Sequence, residues 1–294
     1  MKKILKLYSL LILTFFLFNC SADKIDAIDK ELNDLTKKNL LGKVNSLRQF
    51  SYVAIEKFGE ISKGERASGS ESGNSKNMEI IFSENGNEIE INQWESSGNR
   101  GIKRIFKYDI KGNRIEENYY QPDGSLLAKV KLEYDDKGNK VKQNRSFPEY
   151  LGIVENGTYK YDSKGNLIEE NHYNLNGLAL TLKPEYDDNG NKVETNRYNP
   201  NGSLGGKWTY KYDTKGNLIE DNSYKSDGSL DIRRTFKYDD KGNEIESSSH
   251  KPRGKDSRGA RKYKFDKKGN WIKEIHFRNE VAQSITEGVF EYYQ

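Results

Sequence analysis

Three histidines, one cysteine and a recurring set of Asp, Glu and Tyr side chains are the groups in this 294-residue chain that could do chemistry. His172, His250 and His276 stand far apart, with neither HxH nor HExxH spacing, so no zinc site is expected. No Ser-His-Asp or Cys-His set can be assembled. No glycine loop sits at a strand-to-helix junction to cradle phosphate. The Asp-rich turns invite a calcium test. Calcium loops alternate carboxylates, whereas Asp135-Asp136-Lys137-Gly138-Asn139 puts a lysine third, where its charge opposes the ion. Glu116, Glu169, Glu194, Glu220 and Glu246 recur at one position, with Asn118, Asn144, Asn171, Asn196 and Asn222 at the position two further on. Paired carboxylates can hydrolyse glycosides. A feature carried by repeat after repeat is instead expected to build the repeat as a cross-strand ladder, and catalytic groups should break the pattern. The expectation is no catalytic residue, no metal and no cofactor.

Stacking chemistry is better represented. Trp208, Tyr210 and Tyr212 alternate along one run, share a face, and are the candidates for stacking on a glycan. Tyr159-Lys160-Tyr161 and Tyr210-Lys211-Tyr212 superficially suit single-stranded nucleic acid. The charge argues against it. The formal charge is +4, but Lys2, Lys3 and Lys6 lie in a leader-like segment, and the remainder is nearly neutral. Only 33% of residues are hydrophobic and 32% are charged, a balance that can signal disorder. Nineteen Tyr, twelve Phe and three Trp argue for a folded chain with a thin core.

The elements that position these groups follow from a repeat. Aromatic-Asp-x-x-Gly-Asn-x-Ile/Val, with Ser-Glu replacing Asp-x in the first copy, recurs from Phe82, Tyr108, Tyr134, Tyr161, Tyr186, Tyr212, Tyr238 and Phe265, at intervals of 25–27 residues. Each unit holds two turns. In the first, Asp can accept backbone N–H bonds and Gly takes a positive φ. The second appears at 121–125, 199–203 and 225–229, where Pro122 and Pro200 suit a type I turn. Both read as three-residue hairpin loops. Between them, Leu230, Ile232, Phe236 and Tyr238 alternate with polar residues, the period of a half-buried strand. An even count places Tyr224, Leu230, Phe236 and Tyr238 on one face. Ile219 and its equivalents Ile115, Val141, Ile168, Val193, Ile245 and Ile272 then fall on the other, so either both faces bury something or the register slips.

The fold class expected is all-β: tandem antiparallel hairpins in a long meander that forms a rolled or spiral sheet, with a single-layer sheet as the alternative and a short N-terminal helix ahead. Residues 24–39 supply that helix, with Ile25, Ile28, Leu32 and Leu35 at helical spacing. Residues 42–57 read as a leading strand or hairpin and 59–77 as a mobile polar loop. The domains expected are 1–19 signal peptide, 20–41 tether and short helix, 42–77 leading hairpin and loop, and 78–294 repeat domain.

Lysines followed by an apolar run from Leu7 to Phe18 match a secretory leader too short to span a bilayer comfortably. Leu17-Phe18-Asn19-Cys20 resembles the lipobox of bacterial lipoproteins, although Asn19 stands where a small residue is usual. That resemblance implies lipidation at Cys20, and Ser21 after it implies sorting to the outer membrane. The Tyr-Asp-x-x-Gly-Asn units resemble the YD repeats of RHS-type proteins, whose hairpins spiral into a hollow shell. The resemblance covers most of residues 78–294, without the cleavage core or toxin of the full-size proteins. Looser similarity links the hairpins to MORN-like repeat proteins of antitoxin type. Together these imply a non-enzymatic, lipid-anchored envelope protein, exported to the outer membrane or cell surface, monomeric, binding protein or glycan and no nucleic acid. An immunity-type inhibitor of a toxin is the second reading, and a hydrolase with an unrecognised site the third. Function is expected where the repeat is broken: the 59–77 loop, Pro148-Glu149-Tyr150, the Lys251–Arg261 stretch and the C-terminal strand.

Lipidation is tested by metabolic palmitate labelling. The wild-type chain should take up label and Cys20→Ala should take up none; equal uptake refutes the anchor.

Overall fold

The computed structural model describes residues 33–67, 77–148 and 153–294. Cys20, Glu149, Tyr150 and most of the helix expected over 24–39 lie outside the described residues. Within them a single four-residue helix, α1 (Asp34–Lys37), is capped by the Asn33 side chain, which accepts from the Thr36 N–H. Everything else regular is strand. A hairpin, β1 (Val44–Lys57) and β2 (Glu60–Arg66), precedes the repeats. Then come β3 (Met78–Phe82), β4 (Glu88–Trp94), β5 (Arg100–Tyr108), β6 (Arg114–Tyr120), β7 (Leu126–Tyr134), β8 (Lys140–Phe147), β9 (Ile153–Tyr161) and β10 (Leu167–Asn174). The second half holds β11 (Gly177–Tyr186), β12 (Lys192–Tyr198), β13 (Leu204–Tyr212), β14 (Leu218–Lys225), β15 (Leu230–Tyr238), β16 (Glu244–His250), β17 (Ser257–Phe265), β18 (Trp271–Arg278) and β19 (Val281–Tyr292).

Each repeat is a hairpin for local reasons. Asp109 Oδ1 accepts from the N–H of Lys111 and of Asn113, both at 2.9 Å, and its Oδ2 accepts from the Asn113 amide at 2.9 Å. Gly112 completes the loop at φ 83°, a conformation that side chains with a Cβ rarely adopt. The same bonds recur at Asp162, Asp187 and Asp239.

A bulge follows each of these turns. Tyr108 pairs with Arg114 but Lys107 pairs with Glu116, which leaves Ile115 as an extra residue. Val141, Ile168, Val193, Ile219, Ile245 and Ile272 are extra in the same way. The recurring Ile/Val therefore belongs to neither alternation, and Ile115, Ile168 and Ile219 stay 36–43% exposed. The second turns carry bulges too. Tyr224 pairs with Leu230 and Ser223 with Ile232, so Asp231 is extra and Tyr224 and Leu230 lie on the face opposite Phe236 and Tyr238. An even count across the turn missed that inserted residue. Bulges bend and twist the strands they interrupt, and here they recur at both rims.

The sheet is not open, rolled or spiral, nor a single layer. It closes into an eighteen-stranded antiparallel barrel with one extra strand. Closure comes from outside the repeats. β1 pairs along one edge with β19, Leu47 against Phe290, and along the other with β3, Leu47 against Ile80. β2 is the extra strand; it pairs with the far half of β1, Lys57 against Glu60. Residues 60–66 of the segment read as a loop are thus strand. Asn77 splices β2 to β3: its side-chain carbonyl accepts the Ser51 N–H at 3.0 Å and its amide donates to the Ala67 carbonyl at 3.0 Å, standing in for a peptide in the ladder.

Tyrosines tie one repeat to the one before. The hydroxyls of Tyr108, Tyr134, Tyr161 and Tyr238 donate to the carbonyls of Glu88, Arg114, Lys140 and Leu218 at 2.6–2.9 Å. Where Phe265 lacks a hydroxyl, Tyr263 makes the bond to Glu244 at 3.0 Å. Burial pushes the Tyr134 and Tyr238 hydroxyls up to about 12, so they remain donors at neutral pH. Tyr134→Phe keeps the ring and removes one such bond. It should cost about 1 kcal/mol in urea unfolding, against no measurable change for Lys131→Gln on an exposed position.

Candidate functional site

Residues 33–41 decide which face is inside. Leu35 N–H donates to the Gly86 carbonyl at 3.0 Å, beside β4. Five to six residues later, the Asn39 amide donates to the Lys241 carbonyl at 3.1 Å and Leu41 N–H to Asn270 Oδ1 at 2.7 Å, beyond β15 and β17. So short a segment can reach both arcs of the ring only across its concave side. It forms a plug in the mouth lined by the Asp-x-x-Gly-Asn turns. The face it touches, with Phe106, Tyr108 and Arg114, is the lumenal face.

The other face is therefore the outer wall, and it is charged. Glu116 binds Lys107 at 2.8 Å and Lys129 at 2.7 Å, with the Asn118 amide on the same carboxylate at 2.8 Å. These bonds push the Glu116 carboxyl down to about 2. Lys160–Glu169 with Asn171, and Lys211–Glu220 with Asn222, repeat the motif. The recurring Glu and Asn thus form ladders. Acyl chains do not solvate such a wall, because membrane barrels present an apolar band to lipid.

The lumenal wall mixes aromatic rings with ions. At the plug, the guanidinium of Arg114 is held over the Phe106 ring at 4.2 Å, 3.0 Å from Asp34 and 3.2 Å from Glu88. Burial opposes the charge on Asp34. Arg114, the Glu88 N–H and the Tyr108 hydroxyl together outweigh it and hold the carboxyl below the usual aspartate value. Leu35 and Leu40 of the plug pack with Val44, Leu47, Ile80, Phe82, Ile91 and Phe106 where β1 closes the ring, the larger of two apolar clusters. A cavity of about 400 Å³ remains between plug and wall, lined by Lys37, Asn39, Gln49, Glu244, Trp271 and Glu274 among others. Both carboxylates there pair with Arg261.

The three stacking candidates do share a face, and it is the lumenal one. Trp208, Tyr210 and Tyr212 pair with Ser223, Asp221 and Leu218 across β14. Tyr210 is buried, with Lys192 over its ring at 5.2 Å, while Trp208 and Tyr212 are half-buried. Asp221 beside Tyr210 is 2% exposed and meets Arg234 at 2.8 Å; burial outweighs that arginine and raises its pKa. The histidines stay apart. His172 meets Glu170 at 2.9 Å inside, His276 pairs with Arg261 across β17, and His250 meets Asp256 at 2.8 Å in the open. Among the described residues no grouping of His, Cys, Asp and Glu could hold a metal ion. No described helix is long and apolar enough to cross a membrane. The plug's Asp34 and its partner Arg114 gave no signal in sequence, because 80 residues separate them. The lumenal arginines could have been found as cations at inward positions that interrupt the repeat.

No family model matches the chain, and no curated protein matches it. Similar solved structures include a Photorhabdus luminescens Tc holotoxin pore at 12% identity and TM-score 0.33, and a TcdB2-TccC3-Cdc42 complex at 11% and 0.35. These overlaps take in 77% and 83% of this chain, which spans 15% and 16% of those chains. A porin-like protein from Bacteroides uniformis is similar at 10% identity and TM-score 0.41, over 84% of this chain and 98% of that one.

The ion cluster at the plug makes a pH-dependent contribution of known sign. A carboxyl depressed by folding stabilises above its unfolded pKa of about 3.9, and that contribution is lost as pH falls through the lower folded value. The stability gap between wild type and Asp34→Asn should be fully present at pH 7 and shrink progressively below about pH 4 in urea titrations. A gap that does not change between pH 7 and pH 2.5 refutes the assignment.

Proposed function

We propose that this is a non-enzymatic envelope protein, lipid-anchored through Cys20 at the outer membrane or cell surface, that holds a glycan inside its barrel. The observation that carries the reading is the placement of Trp208 and Tyr212 on the lumenal wall, half-buried, beside cations and carboxylates. Eighteen strands make a barrel too wide for its own side chains to fill. The plug narrows one mouth. A lumen of this kind excludes folded proteins and admits an extended, hydroxyl-rich chain, for which flat rings and polar groups on one wall are complementary. The charged outer wall suits a barrel standing in water on a tether.

A second reading has its own support. The β1–β2 hairpin runs past the end of its pairing with β19 and carries a fully exposed Phe58 at its tip, with Ile55 38% exposed below it. An exposed aromatic on a projecting hairpin favours a protein partner, as an immunity-type inhibitor would need.

The two are separated on a glycan microarray probed with the full chain in detergent. Lumenal binding predicts retention of specific glycans and a loss of about tenfold or more in Trp208→Ala, with Phe58→Ser unchanged. No retained glycan refutes the lumenal reading.

A further inference from the structure

Inward-facing arginines interrupt the repeat at Arg104, Arg145, Arg197, Arg234 and Arg261. Three of them have carboxylate partners: Arg145 with Glu155 at 4.0 Å, Arg234 with Asp221 at 2.8 Å, and Arg261 with Glu244 and Glu274. Arg104 has none and lies over the Phe106 ring at 5.9 Å, with its Nε buried and unsatisfied. Arg197 is half-buried and has none either. Among the described residues no hydrogen bond or ion pair engages it. Its guanidinium is laid over Gly205, the extra residue of the bulge at the start of β13. A Cβ there would lie 3.0 Å from Nε and 3.2 Å from a terminal nitrogen. A half-buried guanidinium without an anion is costly to hold in a lumen whose walls are protein.

Asn199 Oδ1 is nearer still to where a Gly205 Cβ would lie, at 2.7 Å, so the group beside the guanidinium there is a neutral amide and not an anion. Gly206 pairs with Arg197, and Trp208 stands two residues further along the same face. Gly206 is itself buried, and a Cβ there would meet the Tyr224 carbonyl at 3.0 Å. Directly opposite Trp208, Thr195 is 6% exposed and its hydroxyl has no hydrogen-bond partner. A half-buried flat ring and a half-buried cation without an anion thus stand on one face of β12 and β13.

We propose that this patch is a subsite for an acidic sugar, a uronic acid residue whose ring stacks on Trp208 and whose carboxylate pairs with Arg197. The inference rests on the lumenal-glycan reading and narrows it to a charge class. Guanidinium and carboxylate match in geometry and can bond through two parallel N–H donors.

Isothermal titration of the full chain in detergent with oligogalacturonate and with its methyl ester isolates the charge, because the two differ only at the carboxyl. The acid should bind about tenfold or more tightly than the ester. Arg197→Gln should bring the acid down to the level of the ester. Raising the salt should weaken the acid and leave the ester unchanged, a readout on the wild-type chain that does not depend on how the variant folds. Equal binding of acid and ester, or a preference that survives Arg197→Gln or high salt, overturns the acidic-sugar subsite. If both bind equally and Trp208→Ala abolishes both, the lumenal-glycan reading stands without it. If neither binds, both fall.

Discussion

A meander of hairpins leaves two unpaired edges, and every other feature of this molecule depends on how those edges are satisfied. An exposed edge is a row of unpaired N–H and C=O groups that templates association with other chains. Here one strand from ahead of the repeats answers both edges at once. Leu47 sits between Phe290 and Ile80, and the apolar cluster gathers around that seam. Closure creates an inside, and only then do the aromatic rings acquire a lumen to face.

The repeats prepare for closure through geometry that is local. Each Asp-x-x-Gly-Asn turn fixes a three-residue loop by its own side-chain bonds, and each turn is followed by a bulge. The tyrosine hydroxyls then link repeat to repeat by bonding a carbonyl about 20 residues earlier. Position 265 shows that the bond matters more than the residue that makes it, since Tyr263 supplies the hydroxyl that Phe265 lacks.

The two walls divide the chemistry. The outer wall neutralises itself through Lys–Glu–Asn ladders. The inner wall combines the recurring tyrosines with residues that vary between repeats: Arg114 bound to the plug, Asp221 bound to Arg234, and Arg104 and Arg197 with no carboxylate partner among the described residues. Variation inside a conserved scaffold is where a binding function can be accommodated without disturbing the fold.

The sequence alone determined the repeat, its two turns and the outer ladders, because each rests on contacts between residues a few positions apart or one hairpin away. It also placed Trp208, Tyr210 and Tyr212 on one face by simple alternation. Closure was decided only in three dimensions. Nothing in residues 44–57 marks them as the partner of two edges that stand about 30 and 240 residues away. The bulges were equally hidden, since one inserted residue leaves the hydrophobic pattern almost unchanged yet exchanges the faces of Leu230 and Phe236. Which face is the lumen, and so which side chains can meet a ligand, followed from the plug crossing the ring, a long-range contact that no local period records.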